Sequence, residues 1–507
     1  VSPFVNKGFG WYYSQDVAQD AAQNNWNSFE YPEMCWGGLA MYYARMLKAG
    51  ATPLDATTTA RLKMMGRKLL GRWMLSGYPN WDTGGDTYRA NVCQYWCWSL
   101  RLLTAMAYSD ALNATDLDGA IAKYILDRVV DLWEIHDTAM GDPADGAVPS
   151  QIYGSFSREG EGHLQQGHDA QKCIANPLMA FELALAIDLG VADKPSYKPK
   201  LIYSWDWHCK NLTVSTPTYS VGFAFDRFHA SLPGYTSVLP IRWMGATGLP
   251  ILPINGLLAN LDQFKLNDST TWTEKTSPGS LSSIEVTLPE GDITLADYDT
   301  RTLVTDAGCV QAVVTDQSAN YDLTFTYKMF PGWMQQTIDI APKSGGTPGK
   351  YEIFMYYPII REPDSHIDII DGNGAAHHIY DGSTDTVTDT SYYATPETYR
   401  GIHFRRNGFG MLLMPLSDSV WTYADSRWNS QNRYGSGYCI HGGQTIQIKA
   451  KNTSEVLNTW KFNALWIPTN GTTEHANQLY SLFSADTYRQ ALEAQSMMHQ
   501  TEQVIRV

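Results

Sequence analysis

The hydrophobic period of this chain changes once, and the change limits the folds open to it. Between about residues 28 and 210 apolar residues recur at helical spacing; beyond about residue 270 they alternate. In the first block FEYPEMCWGGLAMYYARMLKAG runs to Gly50 after a basic residue, the expected C-cap. LDATTTARLKMMGRKLLGRWMLSG opens on threonines and ends near Gly77, and ANVCQYWCWSLRLLTAM is apolar nearly all round, so it is expected to be buried. GAIAKYILDRVVDLWEIHD keeps i, i+3, i+4 spacing, and NPLMAFELALAIDLG carries Asn176 as N-cap, Pro177 at N1 and Gly190 at C′. In the second block IEVTL, DLTFTYKMF, MQQTIDI, YEIFMYYPII, GMLLMPL, QTIQIKAK and TWKFNALWIP read as strands between Gly, Asn, Asp and Pro turns. From Ala476 to about Gln500 the helical period returns. Between the blocks YSVGFAFDRFH alternates like a strand and INGLLANLDQF reads as helical. The expectation is an α+β multidomain protein. Residues 1–270 form an incomplete (α/α) toroid carrying the chemistry, and 271–507 an antiparallel β-sandwich with C-terminal helices.

Composition removes several function classes. A formal net charge of −15 argues against nucleic acid as a partner, although a locally basic cleft can still hold an anionic polymer. No apolar run reaches the roughly 18 residues that cross a bilayer, so no membrane partner is expected. Val1 is not an initiator residue, so the chain reads as a processed form. The sequons at Asn113, Asn211, Asn267, Asn452 and Asn470 point to a secreted, extracellular protein. Seven cysteines leave at least one outside any intramolecular pair and form no dense disulfide framework. The 17 Trp and 30 Tyr supply flat faces of the kind that stack on sugar rings. A monomer is expected.

One stretch stands apart from both periods. SREGEGHLQQGHD, residues 157–169, lies in a long segment without a strong period and is almost free of apolar residues. Loops of such length in compact domains are usually functional or disordered, and this one is too rich in Gln, His and aromatics for a linker. His163, His168 and Cys173 are spaced by five, about 140° apart on a helix, so they do not make a metal site. His377 and His378, in the strand block, read as structural.

Four segments carry a resemblance. NNWNSFEYPE (24–33), TYRANVCQYWCWSLRLL (87–103) and HLQQGHDAQ (163–171) resemble segments of polysaccharide lyase family eight, the chondroitin AC, hyaluronate and xanthan lyase group. FAFDRFHAS is similar to the family's arginine-bearing segment. The resemblance implies an aromatic wall at Trp26, a carboxylate-neutralising Asn91, a base in the 163–171 segment and Arg227 as the arginine. Gln166 stands where the family's histidine falls without a gap, so the base moves to His168 or His163. Ala175, Asn176 and Pro177 occupy the neighbourhood of the family's tyrosine, which leaves Tyr235 in LPGYTSV, or Tyr153, to supply it. Trp81, Arg89, Tyr153, Gln165, Gln166 and Arg242 are the further substrate-binding candidates.

Such a lyase removes the C5 proton of a uronic acid and expels the oxygen at C4. The proton becomes acidic enough only when the neighbouring carboxylate is neutralised, which is the work expected of Asn91 and Arg227. A histidine or tyrosine then takes the proton, and a tyrosine or water returns one to the leaving oxygen. No metal or organic cofactor enters. The likeness to fungal-type members implies poly-mannuronate as the anionic polysaccharide. Two other readings remain open from the residues. One is an inverting glycoside hydrolase using two of Glu159, Glu161 and Asp169; the other is a glycan-binding protein without catalysis.

Overall fold

The computed structural model describes residues 30–51, 54–70, 75, 93–140, 180–206, 211–224, 241–246, 249–252, 264–267, 272–274, 280–288, 291–294, 303–305, 307–317, 320–346, 351–358, 366–381, 386–387, 399–406, 408–416, 423–428, 444–452 and 460–504. These form a mixed α+β protein of helices and large antiparallel sheets. The chain divides into two compact units, Val1–Ser220 with Thr300–Thr305 and Val221–Asp299 with Asp306–Val507. Among the described residues no helix is long and apolar enough to cross a membrane.

The first unit holds helices α1 (Glu30–Lys48), α2 (Ala56–Leu70), α3 (Cys93–Tyr108) and α4 (Asp116–Met140), and α5 over 180–189. α3 packs against both α1 and α4. That central place suits its sequence: Leu100, Leu102, Leu103, Ala105, Met106 and Ala107 are all buried. The helix ends follow local chemistry. Asp55 caps α2, accepting Thr58 N–H at 2.9 Å and the Thr58 hydroxyl at 2.7 Å, and these bonds hold its carboxyl below the usual range. Gly50 and Gly190 close α1 and α5 at φ of 77° and 72°, the left-handed conformation that glycine adopts without a Cβ penalty.

Helical character was expected to about residue 210, but strands begin at Ile202. β1 (Ile202–Asp206) and β2 (Asn211–Ser215) form an antiparallel pair with Ile202 opposite Ser215 and Trp205 opposite Leu212. Pro195 and Pro199 keep helix out of the approach, and the aromatic and β-branched residues that follow suit a pleated surface. β3 spans Tyr219–Ala224, within the segment read as a strand.

The second unit is built on strands. They are β4 (Ile241–Ala246), β5 (Leu249–Leu252), β6 (Phe264–Asn267), β7 (Trp272–Glu274), β8 (Ser280–Leu288) and β9 (Gly291–Thr294). β10 (Leu303–Thr305) belongs to the first unit and pairs with β1. Then follow β11 (Cys309–Gln317), β12 (Tyr321–Phe330), β13 (Trp333–Pro342), β14 (Tyr351–Pro358), β15 (His366–Asp371), β16 (Ala376–Asp381) and β17 (Thr386–Val387). The last are β18 (Tyr399–Arg406), β19 (Phe409–Pro415), β20 (Tyr423–Trp428), β21 (Gln444–Asn452) and β22 (Trp460–Thr469). All seven segments read as strands beyond residue 270 are strands here. INGLLANLDQF, read as helical, falls outside the described residues except for its last, Phe264, which opens β6.

One sheet has eleven strands in the order β17-β16-β15-β18-β19-β22-β13-β12-β11-β8-β9, and a second has five, β20-β21-β14-β6-β7. On β12 Tyr321, Leu323, Phe325, Tyr327 and Met329 alternate with more exposed neighbours, the pattern of a sheet with one dry face. β19 and β22 are instead buried on both faces. The reason lies in two helices, α6 (Thr473–Phe483) and α7 (Asp486–Val504), separated by Ser484 and Ala485. Phe483 and Ala476 of α6 join Leu412, Met414, Leu465, Ile467 and Trp333 in one core on the second face. On the first face Trp466 stacks on Phe404 and donates its Nε1–H to Gln336 at 3.0 Å.

Candidate functional site

Asn91, His163, His168, Tyr235, Arg227, Trp26, Trp81, Arg89, Tyr153, Gln165 and Gln166 all lie outside the described residues, as do Glu159, Glu161 and Asp169. Arg242 lies on β4. Asn91 falls two residues ahead of α3 in sequence.

The described residues hold another cluster of titratable groups, on the strands at one end of the large sheet. β15 pairs with β16 on one side and β18 on the other, bringing His378 and His403 opposite Asp368 and Arg405 opposite His366. The Asp368 side chain is 1% exposed and both its oxygens are engaged. Oδ1 accepts from His378 Nδ1 at 2.6 Å, and Oδ2 from Arg405 Nε at 2.5 Å. Because the carboxylate accepts, His378 Nδ1 carries the proton. In a neutral ring its Nε2 is then the acceptor for His366 Nδ1, 3.3 Å away. The result is an Asp–His–His hydrogen-bonded chain across β15 and β16. His378 keeps 32% of its side chain exposed, so the chain reaches the surface.

His403, on the same strand as Arg405, is buried, and its Nε2 meets Thr469 Oγ1 at 2.8 Å. Burial pushes this imidazole down to about 4; Asp368 pulls the other way, and Arg405 and His475 reinforce the burial. Its Nδ1 has no hydrogen-bond partner among the described residues. Gly410 makes the room, since a Cβ there would meet Thr469 Oγ1 and come within 2.8 Å of His403 Nε2. His377 does the structural work expected of it. It bonds Asp371 at 3.0 Å, and Asp371 also accepts from Asn373 N–H and Ala375 N–H across the β15–β16 turn. The His377 bond, more than the backbone donors, draws the Asp371 carboxyl below its usual range.

The helical unit has its own buried carboxylate. Glu182 of α5, at 1% side-chain exposure, accepts from Arg101 Nε of α3 at 2.6 Å. Burial raises its pKa, with Arg101 opposing, and Oε2 has no hydrogen-bond partner among the described residues. Among the described residues no group of three or more His, Cys, Asp or Glu is placed to hold a metal ion.

The His378 cluster was hidden in the sequence because its members are far apart there. The signal was present in HIDIID and RGIHFRR, where polar residues at every second position alternate with Ile and Phe.

No family model matches this chain, and no curated protein matches it. Solved structures similar to it include xanthan lyase from Paenibacillus, 10% identical over 90% of this chain and 40% of that one, with a TM-score of 0.41. A chondroitin lyase of the baculovirus envelope is 10% identical over 86% of this chain and 76% of that one, at a TM-score of 0.21. A protein of Escherichia coli K12 named as an aldose 1-epimerase is 10% identical over 53% of this chain and 99% of that one, at 0.28. This chain thus spans well under half the length of the xanthan lyase.

Proposed function

We propose that this protein is a secreted polysaccharide lyase that cleaves a 1,4-linked uronic acid polymer, poly-mannuronate, by β-elimination. The observation that carries the reading is the set of family-like segments around Asn91, His168 and Arg227, in a chain that sets helices ahead of large antiparallel sheets. In this reading the helices form one arc of an (α/α) toroid. Asn91 and Arg227 neutralise the uronate carboxylate, His168 or His163 takes the C5 proton, and Tyr235 serves the leaving oxygen. Of the five sequons, Asn470 is exposed and open to a glycan, which supports passage through a secretory route. Asn113 does not add to that support: it is 4% exposed and its amide donates to Met106 O at 2.9 Å.

The test is ultraviolet absorbance from 4,5-unsaturated uronate when the protein meets poly-mannuronate, poly-guluronate, glucuronan and hyaluronan separately. A rise on poly-mannuronate is expected, and Asn91→Ala is expected to lower kcat about 100-fold or more. New reducing ends without absorbance would replace the lyase with a hydrolase using Glu159, Glu161 or Asp169. Silence in both assays would leave a glycan-binding protein.

A further inference from the structure

A cleft of about 550 Å³ opens in the strand unit between the second face of the large sheet and α7. Its sheet wall is a row set by register: Glu285 of β8 and Lys328 of β12 both stand opposite Gln311 of β11. Directly paired side chains on neighbouring strands have Cβ atoms about 5 Å apart, so the three polar ends form one continuous rail. The facing wall is α7, which supplies Gln490, Glu493 and Ala494. Positions i, i+3 and i+4 fall on one helix face. Phe330 lies on the cleft wall and is stacked on Trp333 at 4.1 Å between ring centroids.

The five polar side chains are Glu285, Gln311, Lys328, Gln490 and Glu493. Among the described residues none of them makes a hydrogen bond or ion pair with another. All but Gln490 are half-buried. A concave site of this size, with several polar groups on its walls that do not bond one another, is the form a small-molecule site takes. Its charges narrow the ligand. Two carboxylates against one ammonium oppose an anion such as a uronate. Paired donors and acceptors suit hydroxyl groups, each of which donates and accepts.

We propose that this cleft binds an uncharged saccharide of one or two rings, with Gln311, Lys328 and Gln490 donating to its hydroxyls and Glu285 and Glu493 accepting from them. The proposal does not depend on the lyase reading.

Calorimetric titration of the full chain with cellobiose, maltose, mannobiose and xylobiose tests this, with mannuronate disaccharide as the anionic control. At least one neutral disaccharide is expected to bind with a Kd of about 1 mM. Gln311→Leu is expected to weaken it about tenfold by removing both an amide donor and an acceptor. Ala494→Trp, at an exposed helix position, is expected to fill the cleft and abolish binding with the urea midpoint unchanged. Failure of all four neutral sugars to bind overturns the proposal. So does binding that survives both substitutions, which would place the sugar in another site.

Discussion

Glu182 in the helical unit and Asp368 in the strand unit are buried alike, each with a side chain 1% exposed and each bonded to an arginine Nε. What meets the second oxygen differs. Among the described residues Glu182 Oε2 has no hydrogen-bond partner, whereas Asp368 Oδ1 takes the Nδ1–H of His378. Geometry accounts for this. A strand inside a sheet has a neighbour on each side in fixed register, so β16 and β18 each bring a donor to Asp368. Among the described residues, Glu182 receives only the Arg101 guanidinium of α3. Depth of burial therefore does not decide how a carboxylate fares; the number of donors that the architecture can bring to it does.

The strongest way to break the comparison is to remove each carboxylate in turn. Asp368→Ala leaves Arg405 and His378 without their acceptor and is expected to cost about 3–5 kcal/mol in urea unfolding. Glu182→Gln, which removes a charge already penalised by burial, is expected to change stability by no more than about 1 kcal/mol. Equal losses would refute the donor argument.

Acid should separate the units next. The His403 pKa is depressed in the fold to about 4 from 6.5, so the unfolded chain binds the proton first. Its contribution is complete above 6.5 and is lost as pH falls through that window towards 4, by about 3 kcal/mol in all. Glu182 has the opposite sign: its raised pKa means that the folded carboxyl holds its proton longer, so the helical unit weakens as pH rises above 4.5. Hydrogen exchange followed from pH 6.5 to 4 should show the strand unit loosening while the α3–α5 amides gain protection, with His403→Gln flattening the first trend. Smaller effects sharpen the picture within the strand unit. Gly410→Ala should cost about 1–3 kcal/mol by driving Thr469 away from His403. Thr472→Ala, which removes the hydroxyl that caps α6 through His475 N–H, should cost about 1 kcal/mol by thermal melting.

The strands with an apolar rhythm were legible in sequence. DLTFTYKMF and TWKFNALWIP are the cores of β12 and β22, and their burial repeats their spelling. β15 and β18 were not, because His366, Asp368, His403 and Arg405 break their apolar runs and dilute the rhythm. Those same residues form the cluster, so the chemistry and the missed strands have one cause. β1 and β2 were lost in a helical neighbourhood, where five-residue strands carry too few positions to show a period. His378 read as structural because sequence shows it beside His377, while its partners Asp368 and His366 reach it only through pairing.

The sheet order also sets a timetable. β22 sits between β19 and β13, so the strands from β15 to β19 and those from β8 to β13 are joined through a strand made after all of them. Until it arrives, both halves present an open edge with Met334, Ile338, Leu412 and Leu413 uncovered, surfaces prone to pair with another chain. α6 and α7, which follow immediately, then cap the second face. A nascent chain halted before residue 460 would carry two sticky half-sheets, and its safe passage would depend on chaperones or on speed.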